Sequence, residues 1–109
     1  MKLSCLYILM DASEEGHVEI VKIILEKANI DINQQNKIYG RTALMYASRI
    51  GHKEIVKMLL EKENIEINQK DKNGKTALMW ASEGGHVEIV NILLEKENIE
   101  INHKDEEWD

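Results

Sequence analysis

Apolar residues recur along this chain in short, one-sided runs. In Val18–Lys27, Ile20, Val21, Ile24 and Leu25 fall at i, i+1, i+4 and i+5, and this places them on one stripe of a helix. Ile55, Val56, Leu59 and Leu60 repeat the spacing in Lys53–Lys62, and Val87–Glu97 carries it again. Each of these helices is preceded by a shorter one. Leu6–Ser13, Thr42–Ile50 and Thr76–Glu83 are predicted helical, with Thr42 placed to cap its helix by accepting from early backbone amides. Gly16 and Gly51 end the short helices, as residues free to take positive φ. Glu19 in the first turn and Lys27 in the last suit the helix dipole. Asn29–Ile38 and Asn64–Asn73 lack a helical stripe and read as loops, the second closing in the turn-forming pair Asn73-Gly74. Isoleucines alternate with polar residues in Ile65-Glu66-Ile67 and Ile99-Glu100-Ile101, so the loop stems are expected to be pinned to the body.

The pattern is periodic. Gly40–Asn68 and Gly74–Asn102 agree at 22 of 29 positions, and Ala12–Asn33 agrees with the last copy at 17 of 22. The copies begin 35 and 34 residues apart, a period that marks a stacked array of helical units. The units divide as about 1–35, 36–70 and 71–104, with a tail at 105–109. No unit can bury its stripe alone, and about three stacked together are the least expected to be stable. The whole reads as one all-α domain.

Composition narrows the function. The net charge of −6 argues against a phosphate-binding surface, which needs Lys and Arg, and against anionic membrane. It favours a neutral or basic protein partner. Cys5 is the single cysteine, so the chain can form neither an internal disulfide nor a cysteine-built zinc site, and an intracellular location, cytoplasmic or nuclear, is expected. Met1–Met10 has a Lys followed by an apolar run, but Asp11 ends the run and no small-residue cleavage site follows. No stretch is long enough to span a membrane. Phe and Pro are absent, so the core is expected to be aliphatic.

The unit resembles the ankyrin repeat. The opening segment appears as Gly40-Arg41-Thr42-Ala43-Leu44-Met45 and Gly74-Lys75-Thr76-Ala77-Leu78-Met79, the turn as Gly16-His17, Gly51-His52 and Gly85-His86. The second helices match at Ile55-Val56-x-x-Leu59-Leu60 and Ile89-Val90-x-x-Leu93-Leu94, and the loops carry Ile32-Asn33, Ile67-Asn68 and Ile101-Asn102. Ala43 and Ala77 replace the family's Pro, and Met45 and Met79 its His. One extra residue follows the second helix and another lies in Lys37–Tyr39. The resemblance implies a solenoid of helix-turn-helix units with projecting β-turn loops. It also implies a non-catalytic protein-binding scaffold, working through the loop tips and the exposed side of the first helices. No cofactor is implied. The loop asparagines Asn33, Asn68 and Asn102 are hydroxylated in some family members, but loop hydrogen bonding is the simpler expectation.

Differences between copies locate the candidate surface. Arg41/Lys75, Tyr46/Trp80, Arg49/Glu83 and Ile50/Gly84 cluster, and Tyr46, Arg49 and Ile50 share a helix face. Leu44, Ala47 and Ser48 are expected to point to the core. The expected exposed stripe runs from Asp11, Glu14 and Glu15 through Tyr46, Arg49 and Ile50 to Trp80 and Glu83, in rows about 10 Å apart. It is acidic at one end and aromatic toward the other. Tyr46 and Trp80 are its expected anchors, since hot spots favour Tyr, Trp and Arg; the alternative is that both rings pack between repeats. Tyr39, Lys37, Arg41, Lys72, Asn73 and Lys75 are loop-tip candidates. The partner would be a protein, basic or bearing an apolar anchor. His17, His52 and His86 invite a metal reading, but one histidine per unit, about 10 Å apart, cannot share an ion at bonds of roughly 2 Å. They are expected to stabilise turns. His103 with Asp105 and Glu106 would bind a metal weakly at best, and Cys5 is expected to be partly buried and inert. Glu61 and Glu63 belong to a solvated face. No phosphate loop, nucleophile motif or acid pair appears, so no enzyme is expected. A second reading is a spacer or a fragment of a longer array. Leu6, Tyr7, Ile8 and Leu9 crowd its first helix, so such a chain would be monomeric or weakly self-associating through poorly capped ends.

Overall fold

A computed structural model describes residues 2–100, with side chains from Cys5 onward. Among the described residues six helices follow one another: α1 (Lys2–Glu15), α2 (Val18–Lys27), α3 (Ala43–Ile50), α4 (Lys53–Leu60), α5 (Ala77–Glu83) and α6 (Val87–Leu94). No strand occurs among the described residues. The helices pair within each unit, α1 on α2, α3 on α4 and α5 on α6. They also stack in two layers: α3 lies between α1 and α5, and α4 between α2 and α6. The body measures 45 × 27 × 23 Å.

The core runs between the layers. Leu9, Val21, Ile55, Val56, Leu59, Ile89 and Leu93 are each at most 2% exposed. Full burial of such a side chain is worth roughly 1.5–3 kcal/mol, so the shared core carries the fold. Ile67 is buried and Ile65 and Ile99 pack against the core, pinning the loop stems as the alternation predicted. Ile20 departs from its expected place in the apolar stripe. It is 43% exposed, because its counterparts Ile55 and Ile89 are covered by the preceding repeat and no described residue plays that part for Ile20.

Helix starts follow the caps. Thr42 accepts from the Met45 amide and Thr76 from the Met79 amide. The first helix differs. It was expected over Leu6–Ser13 and instead spans Lys2–Glu15. Cys5 stands where the next unit has Gly40, whose φ of +69° breaks the chain direction, so the helix continues through Cys5. The Cys5 thiol is half-buried and unpaired. The second helices of the later units stop at Leu60 and Leu94, short of Lys62 and Glu97. There the amides of Lys62, Ile65, Lys96 and Ile99 each bond a carbonyl three residues back, a tighter winding that swings Ile65 and Ile99 inward.

One joint repeats between units. The ring Nε2 of His52 bonds the Glu14 carbonyl at 2.8 Å, and that of His86 bonds the Arg49 carbonyl at 2.9 Å. A carbonyl oxygen only accepts, so Nε2 carries the proton in both. Each ring lies over the turn glycine of the unit before it. A β-carbon at Gly16 or Gly51 would come within 2.6 Å of the next histidine's Cε1. Both glycines also have positive φ, +84° and +107°. Loops are clipped similarly. Asn33 donates to the Asn64 carbonyl and accepts from the Glu66 amide, and Asn68 does the same with Asn98 and Glu100. The expected turn and loop roles hold for His52, His86, Asn33 and Asn68, whereas His17 is exposed and makes no such bond; Ile101, Asn102, His103, Asp105, Glu106 and Trp108 lie outside the described residues.

Candidate functional site on the first-helix face

The expected stripe is built by α1, α3 and α5 together with the loops that lead into α3 and α5. Each loop closes in a short turn held by one polar side chain. Asn36 Oδ1 accepts from the amides of Tyr39 and Arg41, and Asp71 Oδ1 from those of Asn73 and Lys75. The same side chain then reaches the first helix. Asn36 Nδ2 donates to the Tyr46 hydroxyl at 2.7 Å, and Asp71 Oδ2 accepts from the Trp80 indole at 2.9 Å. Donor and acceptor are thus matched to the ring in each unit.

Tyr46 is not the exposed anchor expected of it. It is 8% exposed and packs on Leu6 and Met10 of α1. Leu6 and Met10 stand one turn apart on α1, and with them the ring forms a small apolar cluster beside the main core. Arg41 holds in the second unit the place of Leu6 in the first, so Trp80 meets a guanidinium where Tyr46 meets a leucine. The Arg41 guanidinium lies 4.8 Å from the Trp80 ring centre, 4.5 Å from Tyr39 and 5.6 Å from Tyr46, and its Nε is 3.9 Å from Asp71. Asp71 is buried, so this pair is shielded from solvent and salt.

Trp80 is half-buried, and two more cations flank it. Lys75 Nζ lies 4.5 Å from its ring centre and the Arg49 guanidinium 5.5 Å. Each such contact is worth about 0.5–1 kcal/mol where exposed. Both cations also pair with acids along the stripe: Arg49 with Glu14 at 3.9 Å, and Lys75 with Glu83 at 2.6 Å. The result is a line of two ion pairs, acidic at both ends and basic between, Glu14–Arg49–Lys75–Glu83, laid around one indole. Beside it, Arg49, Ile50, Trp80, Glu83 and Gly84 enclose a shallow hollow of about 250 Å³, and Ile50 is 42% exposed at its rim. At the far end Asp11, Glu14 and Glu15 bring their carboxylates within 4.8 Å of one another.

The loop-tip candidates divide. Tyr39 and Arg41 join the aromatic group, and Lys75 flanks Trp80. Lys72 is spent on the neighbouring loop: its amide bonds the Tyr39 carbonyl at 2.9 Å and its ammonium the Lys37 carbonyl. Asn73 is exposed in its turn, away from the indole's contacts. Sequence reasoning missed Asn36 and Asp71. The available signal was an Asn or Asp placed four or three residues before the turn glycines Gly40 and Gly74.

A second hollow, of about 470 Å³, lies between α2 and α4 on the opposite layer, lined by Val18, Leu25, Met58 and the charged residues around them. No helix among the described residues is long and apolar enough to cross a membrane.

Comparison with known proteins agrees with this geometry. The family model described as ankyrin repeats, in three copies, matches residues 9–105. No curated protein matches the chain closely enough to count as a relative. Among 411 matching chains of solved structures is one from the complex of a predatory endopeptidase of Bdellovibrio bacteriovorus with an immunity protein. It is 33% identical, with a TM-score of 0.75 over 80% of this chain and 44% of that one. The present chain therefore spans less than half the length of that neighbour.

Proposed function

Because the chain belongs to the ankyrin-repeat family, whose members generally mediate protein–protein interaction and are generally non-catalytic, we propose that it binds a partner protein through the first-helix face around Trp80. It does so without catalysis and inside the cell. The observation that carries this reading is the half-buried indole, ringed by Arg41, Arg49 and Lys75 and opening onto the hollow beside Ile50. A rigid aromatic with an apolar neighbour and a rim of both charge signs has the anatomy of an interface anchor. Asp11, Glu14 and Glu15 extend the face with negative charge, which suits a partner basic at that end. The neighbouring solved complex supports the reading, since a chain of this fold is found there in an assembly of an enzyme with an immunity protein.

The test must spare the fold, so Trp80 and Tyr46 are left intact. Ile50 and Glu83 are exposed, and the double variant Ile50→Asp/Glu83→Lys changes the rim alone. The wild-type chain should retain a specific protein from lysate that the double variant loses, with equal helical circular dichroism. Equal retention by both chains would move the site to the loop tips or the second-helix layer.

A further inference from the structure

The two ends of the stack are the unpaired halves of the joint that holds its middle together. At the leading end, His17 is exposed, while His52 and His86, its counterparts, each reach a carbonyl of the preceding unit. At the trailing end, no described residue lies within 4 Å of a β-carbon placed on Gly85, while Gly16 and Gly51 are each covered by the next histidine ring. The apolar positions tell the same story. Ile20 is 43% exposed, against 0% for Ile55 and 2% for Ile89, each of which has a unit before it. Ile8 is 48% exposed where Ala43 and Ala77 are buried. On the trailing face Leu94 is 37% exposed against 6% for Leu60, and Ser82 is exposed where Ser13 and Ser48 are fully buried. Val90 is half-buried where Val21 and Val56 are fully covered.

We infer that the leading face of one copy of this chain stacks on the trailing face of another. His17 then lies over Gly85 and donates to the Glu83 carbonyl, the counterpart of Glu14 and Arg49 in the two internal joints. Ile8, Ile20 and His17 are covered by Ser82, Gly85, Val90 and Leu94, in the register that the chain already uses twice. A second copy is the fitting occupant because the surface asked for is the one this chain itself presents at its other end. The contact is heterologous: each copy offers a different face, and both faces stay available after one is used. Such a contact extends into open linear oligomers rather than stopping at a dimer. It adjoins the partner surface proposed above at Glu83, of which it uses the backbone carbonyl alone, and the variants below leave Ile50 and Glu83 untouched, so the two readings fail separately.

The test uses one block on each face. Ile20→Lys puts a charge on the leading face, and Ser82→Arg puts a long side chain on the trailing face; both sites are exposed, and the melting temperature of each variant verifies folding. By sedimentation velocity the wild-type mass should climb above 12.6 kDa with concentration and keep climbing. Each variant alone should stay at the monomer mass. An equal mixture retains one good face of each kind and should form a species of twice the monomer mass and nothing larger. A wild-type chain that stays monomeric at millimolar concentration overturns the inference. So does a mixture that remains monomeric, or a blocked variant that associates as the wild type does.

Discussion

Asn36 and Asp71 play the same part in successive units, but only the Trp80 indole, which can do nothing but donate, restricts its partner. The Asp71 carboxylate accepts on both oxygens, from two amides and the Trp80 indole. An amide there would set a donor against a donor in either orientation. Asp71→Asn is therefore expected to destabilise the chain by about 1–3 kcal/mol, the usual result of leaving a buried polar group unpaired. Asn36→Asp should cost less than about 1 kcal/mol, because the Tyr46 hydroxyl can donate to the new oxygen as readily as it now accepts. Urea denaturation of the two variants measures the asymmetry, and equal losses would contradict it. At this scale much was legible. The Thr42 cap and the turn histidines follow from residue type and repetition alone. The burial of Tyr46 was not legible, because Leu6 and Met10 belong to another unit and meet the ring only once the units stack.

Among the elements, the joint between units is made of a ring, a glycine and a carbonyl. Gly51→Ala and Gly85→Ala both place a side chain at positive φ, with φ of +107° and +73°, at a conformational cost of roughly 1–2 kcal/mol. Only at Gly51 must the His86 ring also move. Gly51→Ala should therefore melt below Gly85→Ala, and its deficit should shrink when His86→Ala is added; matching melting temperatures for the two alanines would contradict the joint. A weaker tie links the second layer, where Lys53 of α4 donates to Glu88 of α6 at 2.8 Å. That hydrogen bond and charge hold the Glu88 carboxyl below its ordinary 4.5 and raise the Lys53 ammonium above its ordinary 10.5. The carboxylate's contribution is present above 4.5 and is lost as pH falls through the lowered value; the ammonium's is present below 10.5 and is lost as pH rises through the raised one. Both groups are exposed, so the effect is small and screened by salt. The melting-temperature gap between wild type and Glu88→Gln should be flat from about pH 6 to 9 and should close in acid. A gap that widens in acid would contradict the pairing. The helices themselves were legible from apolar spacing. Their ends at Leu60 and Leu94 were not, because the inward pull on Ile65 and Ile99, rather than any breaker residue, tightens the chain there.

At the scale of the whole molecule, the two layers have different work. The second helices supply much of the buried aliphatic core, through Ile55, Val56, Leu59, Ile89 and Leu93. The first helices, together with the loops before them, carry the residues that differ between units and converge on Trp80. The period and the stacking direction were legible in the sequence, and so was the face on which differences gather. The way Arg41 from a loop joins Tyr39, Tyr46 and Trp80 into one cluster was not, since those residues come from two units and meet only when stacked. The most direct test of the account replaces Ile50, beside the indole, with a photo-crosslinking residue, and as a control does the same at Glu61 after the second helix. A heterologous protein is expected to be trapped from position 50 and not from position 61. Trapping from position 61 alone would place the working surface on the other layer and contradict the account.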